Sequence, residues 1–249
     1  MTEQKENYNV KQYMEKIITD QLEKFKKFTE WTTKDKSEFK KLLDILRMPF
    51  DQKGEAAKYK GDKLEAVVEF IIRKSYFYEI YKNVHTQTNE IDEVIVFSDR
   101  GRQALKTFGI SRDLIPIKED VFLGECKNYK KNLDVTYVGK FYSLMTVTGV
   151  STGIIFTQKG LTGRSEGFKD AYGLTKVLRM VELNKDKNSN FCILTFTEKD
   201  YDKLLEGYSF FDLVKAKQYE LQLASDYSKF LKDHQHEAED KIKKIVHSI

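Results

Sequence analysis

The residues of this chain best suited to chemistry are three acids and a lysine. In Gly124-Glu125-Cys126-Lys127, a carboxylate and an ammonium stand two positions apart. On a strand, alternation places Glu125 and Lys127 on one face and Cys126 on the other. A carboxylate held beside an ammonium on a rigid element suits a metal ligand next to a group that positions water or stabilises charge. The spacing itself is cheap, since acid-x-Lys also occurs at Glu3/Lys5, Glu38/Lys40, Asp51/Lys53 and Glu239/Lys241. Those four fall in helical or irregular stretches, where residues two apart do not face each other. Only the Glu125 pair follows an apolar strand-like run, Val121-Phe122-Leu123.

Asp92 is the second acid, in Asn89-Glu90-Ile91-Asp92-Glu93-Val94. An acid at the start of an apolar strand is costly to bury unless it is paired or bound to a cation. Taken alone, an acid at a strand mouth open to water is the commoner case. Glu65 is the third, in Lys60-Gly61-Asp62-Lys63-Leu64-Glu65. It lies on the helical row Gly61, Glu65, Val68, Ile72, at the edge of a buried stripe, where a solvated surface acid is the commoner case. Other chemistries lack their residues. There is no GxxxxGK[ST] phosphate loop, no GxGxxG opening a helix and no GxSxG turn. His234 and His236 have no third ligand at metal-binding spacing, and neither Cys126 nor Cys192 has an evident histidine partner.

The elements that must position these residues follow from hydrophobic periodicity. Val10, Tyr13, Met14, Ile17, Ile18, Leu22 and Phe25 trace the stripe of an amphipathic helix. After the polar break at 32–35, Phe39, Leu42, Leu43 and Leu46 predict a second helix, ending before Pro49. Asp62 is a candidate cap for a helix carrying Leu64, Val67, Val68, Ile71 and Ile72. Strands are expected at 78–84, 90–97, 121–127, 152–157 and 191–196, and helices at 135–148, 169–183 and 198–205. The segment 98–120 resists assignment apart from a short helix near 100–108, and the tail 211–249 reads as helical.

The whole chain has 249 residues, 40% hydrophobic, with two prolines and 13 glycines, which excludes a disordered, collagen-like or proline-rich polymer. No apolar run reaches the length of a membrane span, and a signal-peptide core is missing, so a cytoplasmic, soluble protein is expected. Two cysteines make neither a disulfide framework nor a structural zinc site. The net charge of +4 is modest for a nucleic-acid-coating protein. Between 156 and 180, however, five basic residues (Lys159, Arg164, Lys169, Lys176, Arg179) meet only Glu166 and Asp170, a local excess that fits phosphates or a solvated surface equally.

In order, these pieces are a helix with G-x-x-x-E, a strand with Asp, a strand with E-x-K, a helix and a further strand. This order resembles the PD-(D/E)xK nuclease superfamily, and most of all its Mrr-type, type IV restriction endonuclease branch. The resemblance rests on Lys60–Glu65, Ile91-Asp92, Gly124–Asn128 and the run from Gly149 to Thr157, and covers about 58 to 208. It implies an α/β fold, a restriction-endonuclease-like core of mixed β-sheet flanked by helices in the order αβββαβ. The implied organisation is a helical extension at 1–57, the nuclease-like core at 58–208 and a helical extension at 209–249. It implies Mg²⁺ (or Mn²⁺) bound by Asp92, Glu125 and the carbonyl of Cys126, with Lys127 orienting or activating water and Glu65 holding a metal-bound water or second cation. The implied activity is endonucleolytic hydrolysis of DNA, expected to be double-stranded, in restriction or defence against foreign DNA. Lys130, Lys131, Lys140, Lys159 and Arg164 are the candidate phosphate contacts, with Tyr129, Tyr137 and Tyr142 interleaved. By analogy a homodimer is expected, with the helical ends free to dock a partner subunit. The alternative is a non-catalytic nucleic-acid-binding or assembly protein that retains the nuclease fold. Two departures stand out: no proline precedes Asp92, and the 32 residues between Asp92 and Glu125 imply an insertion around 101–117, lining the substrate groove or decorating the surface.

Overall fold

The structure, a computed structural model, describes residues 10–48, 55–85, 90–163, 169–223 and 226–231. Five strands form one sheet in the order β1 (Tyr78–His85), β2 (Glu90–Phe97), β3 (Val121–Lys127), β4 (Thr152–Thr157), β5 (Cys192–Phe196). β2 runs antiparallel to both β1 and β3, whereas β3, β4 and β5 are parallel. The helices are α1 (Val10–Thr29), α2 (Thr33–Arg47), α3 (Glu55–Lys74), α4 (Asp99–Phe108), α5 (Val135–Thr148), α6 (Asp170–Lys185), α7 (Glu198–Glu206) and α8 (Phe210–Leu223). The fold is thus α/β, a five-stranded mixed sheet flanked by helices. Among the described residues no helix is long and apolar enough to cross a membrane.

Alternation along the strands divides the core into two apolar layers, one on each face of the sheet. Phe122, Cys126, Ile154, Phe156, Leu194 and Phe196 face a layer built from α2, α3, α7 and α8. Leu123, Ile155 and Ile193 face the layer of α5 and α6, where Val138, Phe141, Met145 and Ala171 pack. Phe39 and Leu43 of α2, and Leu213 and Val214 of α8, are fully buried in the first layer, so both helical flanks complete the same core as the sheet. α1 joins it only through its C-terminal part, where Phe25 stacks on Phe77 and Phe28 on Tyr76. Its earlier stripe, Val10, Tyr13, Met14, Ile17, Ile18 and Leu22, faces water.

Most expected elements appear within a few residues of their predicted ends, and the departures have physical reasons. The polar break at 32–35 is a capping box: the Thr32 hydroxyl accepts from the Asp35 amide, and the Asp35 carboxylate accepts from the Thr32 amide. Asp62 does not cap a helix, because α3 already begins at Glu55 and Asp62 lies in its interior. The expected C-terminal helix ends at Leu223, with a short 3₁₀ turn at Tyr227–Phe230, and the rest of 211–249 lies outside the described residues. The insertion after β2 contains α4 and a 3₁₀ turn, Arg112–Leu114, and it buries Ile110, Ile115 and Ile117. It joins the C-terminal end of β2 to the N-terminal end of β3, opposite the end carrying Asp92 and Lys127, so it does not line a groove there. Its Arg112 guanidinium lies 4.4 Å from the Phe97 ring and donates to the Glu119 carbonyl. The Glu119 carboxylate in turn accepts from the amides of Ser151 and Thr152 and fixes the start of β4.

Close approach between sheet and helix is set at Gly153, on the face of β4 that carries α5. A Cβ there would stand 2.5 Å from Met145 Sδ and 2.6 Å from Phe141 Cε1. The aromatic ring is wedged in the core and cannot yield as a free side chain would. Gly153→Ala is therefore expected to lower stability by about 1–3 kcal/mol through overpacking. A fall in the urea midpoint with an unchanged denaturant slope checks this.

Candidate functional site

Antiparallel pairing brings the N-terminal half of β2 beside the C-terminal half of β3, with Glu93 opposite Gly124. One residue further along, Asp92 projects towards the face that also carries Glu125 and Lys127. The Lys127 Nζ lies 2.8 Å from Asp92 Oδ2 and 2.9 Å from Glu125 Oε1. Asp92 Oδ2 also accepts from the Cys126 amide at 3.1 Å, which ties the acid to the backbone of the neighbouring strand. The three side chains remain 18–24% exposed, so this ion triad is open to a ligand. It lies at the carboxyl end of the parallel strands, where open α/β sheets place their ligands.

Behind the triad, on the opposite face of the same two strands, lies a residue that the sequence reading passed over. Glu93 is fully buried, and its Oε1 accepts from the Cys126 thiol at 2.9 Å. Its other oxygen, Oε2, has no partner among the described residues. Gly124 opposite makes room for it, since a Cβ there would sit 2.9 Å from that oxygen. Burial, opposed by the Cys126 hydrogen bond and reinforced by Asp92, Glu65 and Glu125, pushes the Glu93 carboxyl up to about 8. A signal for it did exist: Ile91, Glu93, Ile95 and Phe97 share one phase of the strand and all are buried.

Glu65 is half-buried on α3 and makes no hydrogen bond or ion pair with the triad. It lies within electrostatic range of it, because burial raises its pKa, Asp62 and Asp92 add to that rise, and Lys82 and Lys127 oppose it. Glu125 is also raised, by burial and then by Asp92, against the pull of Lys127 and Lys140. Burial works against the charged form of Lys127. The flanking carboxylates more than offset this, so its pKa stands above the ordinary lysine range. Four acids thus lie in mutual range, with Glu93 keeping its proton up to about pH 8 and Lys127 standing as the cation between Asp92 and Glu125.

Metal chemistry here has a limited donor set. Among the described residues no group of three or more His, Cys, Asp and Glu side chains converges. Two carboxylates on one face remain, and hard oxygen donors of that kind match Mg²⁺, which normally keeps waters and takes further oxygens from substrate phosphates. The Cys126 side chain points to the other face, so only its carbonyl is suited to join them.

Of the residues expected to contact phosphate, Lys130, Lys131, Lys140 and Lys159 are exposed, and Arg164 lies outside the described residues. Lys130 and Lys131 follow β3, and Lys159 follows β4. The two loops are stitched together by a bridge between Leu133 and Leu161, by Leu133 N donating to Gly160 O, and by Asn132 Nδ2 donating to Leu161 O. Gly160 permits this closure with a φ of +97°. Lysines from both loops are thereby gathered at the strand ends that carry the triad. The basic excess at 156–180 is not one continuous face, since Lys176 is buried with its ammonium over the Tyr172 ring. Tyr142 also turns inward, donating to Glu182 and packing on Phe191. No protein family, curated protein or solved structure matches this chain.

The buried Glu93 carboxyl sets a pH dependence. Its folded pKa, about 8, exceeds the ordinary value of 4.5, so between these values the folded protein keeps a proton that the unfolded chain has released. Stability is then greatest below the lower value and falls as pH rises through the upper one, with a slope of up to about 1.4 kcal/mol per pH unit. Urea unfolding in metal-free buffer from pH 5 to 8 should show this decline, and Glu93→Gln should flatten it. A variant as steep as the parent would remove Glu93 as its source.

Proposed function

We propose that this protein is a metal-dependent nuclease that hydrolyses phosphodiester bonds in DNA, with the chemistry of a restriction-endonuclease-like core. The observation that carries this is the placement of Asp92, Glu125 and Lys127 on one sheet face, linked at 2.8 and 2.9 Å and open to solvent. The order α3-β1-β2-β3-α5-β4, with α4 inserted before β3, supports it, as do the exposed lysines at the same strand ends.

Asp92, Glu125 and the Cys126 carbonyl would hold the cation, Mg²⁺ or Mn²⁺. When bound, it supplies charge neutralisation at the phosphate and acidifies a bound water. Lys127, with its raised pKa, is an ammonium throughout the working range of pH. Its part is therefore to orient water and to stabilise negative charge growing on the phosphate oxygens, rather than to accept a proton. Glu65, half-buried with its pKa raised by burial, would hold a metal-bound water or a second cation and is the better proton acceptor of the two. No side chain needs to form a covalent intermediate. Cutting both strands of a duplex takes two sites, so a homodimer belongs to this proposal, with the exposed apolar stripe of α1 as the surface for a second copy or a partner subunit. Restriction or defence against foreign DNA is the setting in which such an enzyme fits.

A second reading, a non-catalytic nucleic-acid-binding or assembly protein, draws on Lys127 satisfying both carboxylates without a metal. Plasmid DNA incubated with Mg²⁺ separates the two. The parent protein should cut, EDTA should stop it, and Glu125→Ala and Lys127→Ala should each lose at least about 100-fold in rate. Equal activity in all three proteins would sink the assigned roles, and no cutting by the parent would favour the second reading.

A further inference from the structure

We propose that Tyr129 and Tyr137 form a stacking platform for an unpaired base of a DNA strand whose backbone crosses the Asp92–Glu125–Lys127 site. This deepens the nuclease proposal by naming the substrate class, and it rests on that proposal for the identity of the strand.

Tyr129 lies two residues beyond Lys127, in the loop leaving β3, and Tyr137 lies in the first turn of α5. Their ring centroids are 5.3 Å apart with planes inclined at 45°. The two rings are in contact, and Tyr129 raises the pKa of the Tyr137 hydroxyl while Lys127 opposes the rise. The pair stands at the rim of the site. Tyr129 is 46% exposed, although most of the protein's aromatic pairs lie within its apolar layers. Tyr137 packs partly against the layer of α5 and α6, and Tyr129 beside it keeps an aromatic surface in water that a base can cover.

The surroundings indicate which ligand. Lys130 and Lys131 follow Tyr129 directly and form no ion pair among the described residues. Lys140 stands one helical turn after Tyr137, near enough to Glu125 to act on its ionisation. An aromatic face bordered by ammonium groups matches the repeating unit of a single strand, a π-face and a phosphate. A base inside a duplex keeps both faces stacked on its neighbours and offers none to a tyrosine. The platform thus takes an unpaired base, as in a single strand, a frayed end or a flipped nucleotide, and is indifferent to its identity. The bridge from Leu133 to Leu161 ties down the far end of the loop that carries Tyr129.

The test is anisotropy of labelled DNA with the full chain in EDTA, where Asp92 and Glu125 repel phosphate and nothing is cut. The probes are an oligothymidylate of about 12 nucleotides and a blunt duplex of about 20 base pairs. The parent should bind both probes, the duplex through its phosphates and the single strand through the rings as well. The Tyr129→Ala/Tyr137→Ala double variant should bind the single strand roughly tenfold or more weakly with little change on the duplex. The Tyr129→Phe/Tyr137→Phe variant, which keeps the rings and loses the hydroxyls, should bind as the parent does. Unchanged affinity of the alanine variant for the single strand, or equal loss on both probes, would each overturn the platform. Glu125→Ala should bind the single strand at least as tightly as the parent. If it also cuts like the parent with Mg²⁺, the nuclease roles fail while the binding result still judges the tyrosines.

Discussion

One ammonium group governs the architecture of this molecule's polar end. Lys127 Nζ reaches carboxylates from two neighbouring strands, Asp92 on β2 and Glu125 on its own β3. Acids this close, partly withdrawn from water, repel each other and favour protonation unless a cation lies between them. The register of β2 against β3 is what makes the contact available. A slip of one residue would move Asp92 to the other face and leave it against α3 rather than beside Lys127. The Cys126 amide donating to Asp92 fixes that register through the backbone as well.

The same two strands carry a second acid through the sheet. Glu93 lies on the reverse face, buried and bonded to the Cys126 thiol, with an oxygen that no described group satisfies. Gly124 leaves the space that this carboxyl occupies, since a Cβ there would stand 2.9 Å from Glu93 Oε2. Burial and the neighbouring Asp92 raise the proton affinity of Glu65, Glu93 and Glu125, and Glu93 keeps its proton up to about pH 8. A buried acid with an unsatisfied oxygen costs stability, and residues kept at such a cost are characteristic of sites that bind or react. The rest of the fold is arranged accordingly. The inserted α4 segment is packed at the far end of the sheet, and the stitched loops after β3 and β4 bring lysines and tyrosines to the near end.

Much of this was legible in sequence, for identifiable reasons. Strands β2, β3 and β4 and helix α5 have sharp apolar phases and end at recognisable caps, such as Asp134 before α5 and Gly149 after it, so their bounds could be placed closely. Glu125 and Lys127 sharing a face followed from period two alone. The start of α3 was placed late because Asp62 looks like a cap, but it sits in a helix that already satisfies its own amides. Glu93 was overlooked although it occupies the buried phase between Ile91 and Ile95, because its neighbour Asp92 drew the attention an acid in a strand attracts. The contact between Lys127 and Asp92 could not be read from spacing, since it joins residues 35 apart in sequence through the pairing of β2 with β3. Nor could periodicity show that the α1 stripe stays in water, because an apolar face predicts burial without saying by what.

The central claim is the proposal that Asp92 and Glu125, beside Lys127, form a cation site. Calorimetric titration of Mn²⁺ or Mg²⁺ into the metal-free protein tests it most directly, with Asp92→Asn/Glu125→Gln as the comparison. Saturable binding by the parent, lost in the double variant while its fold is retained by circular dichroism, is the result predicted. A parent that takes up no divalent cation, or a double variant that binds it as tightly as the parent, would contradict it.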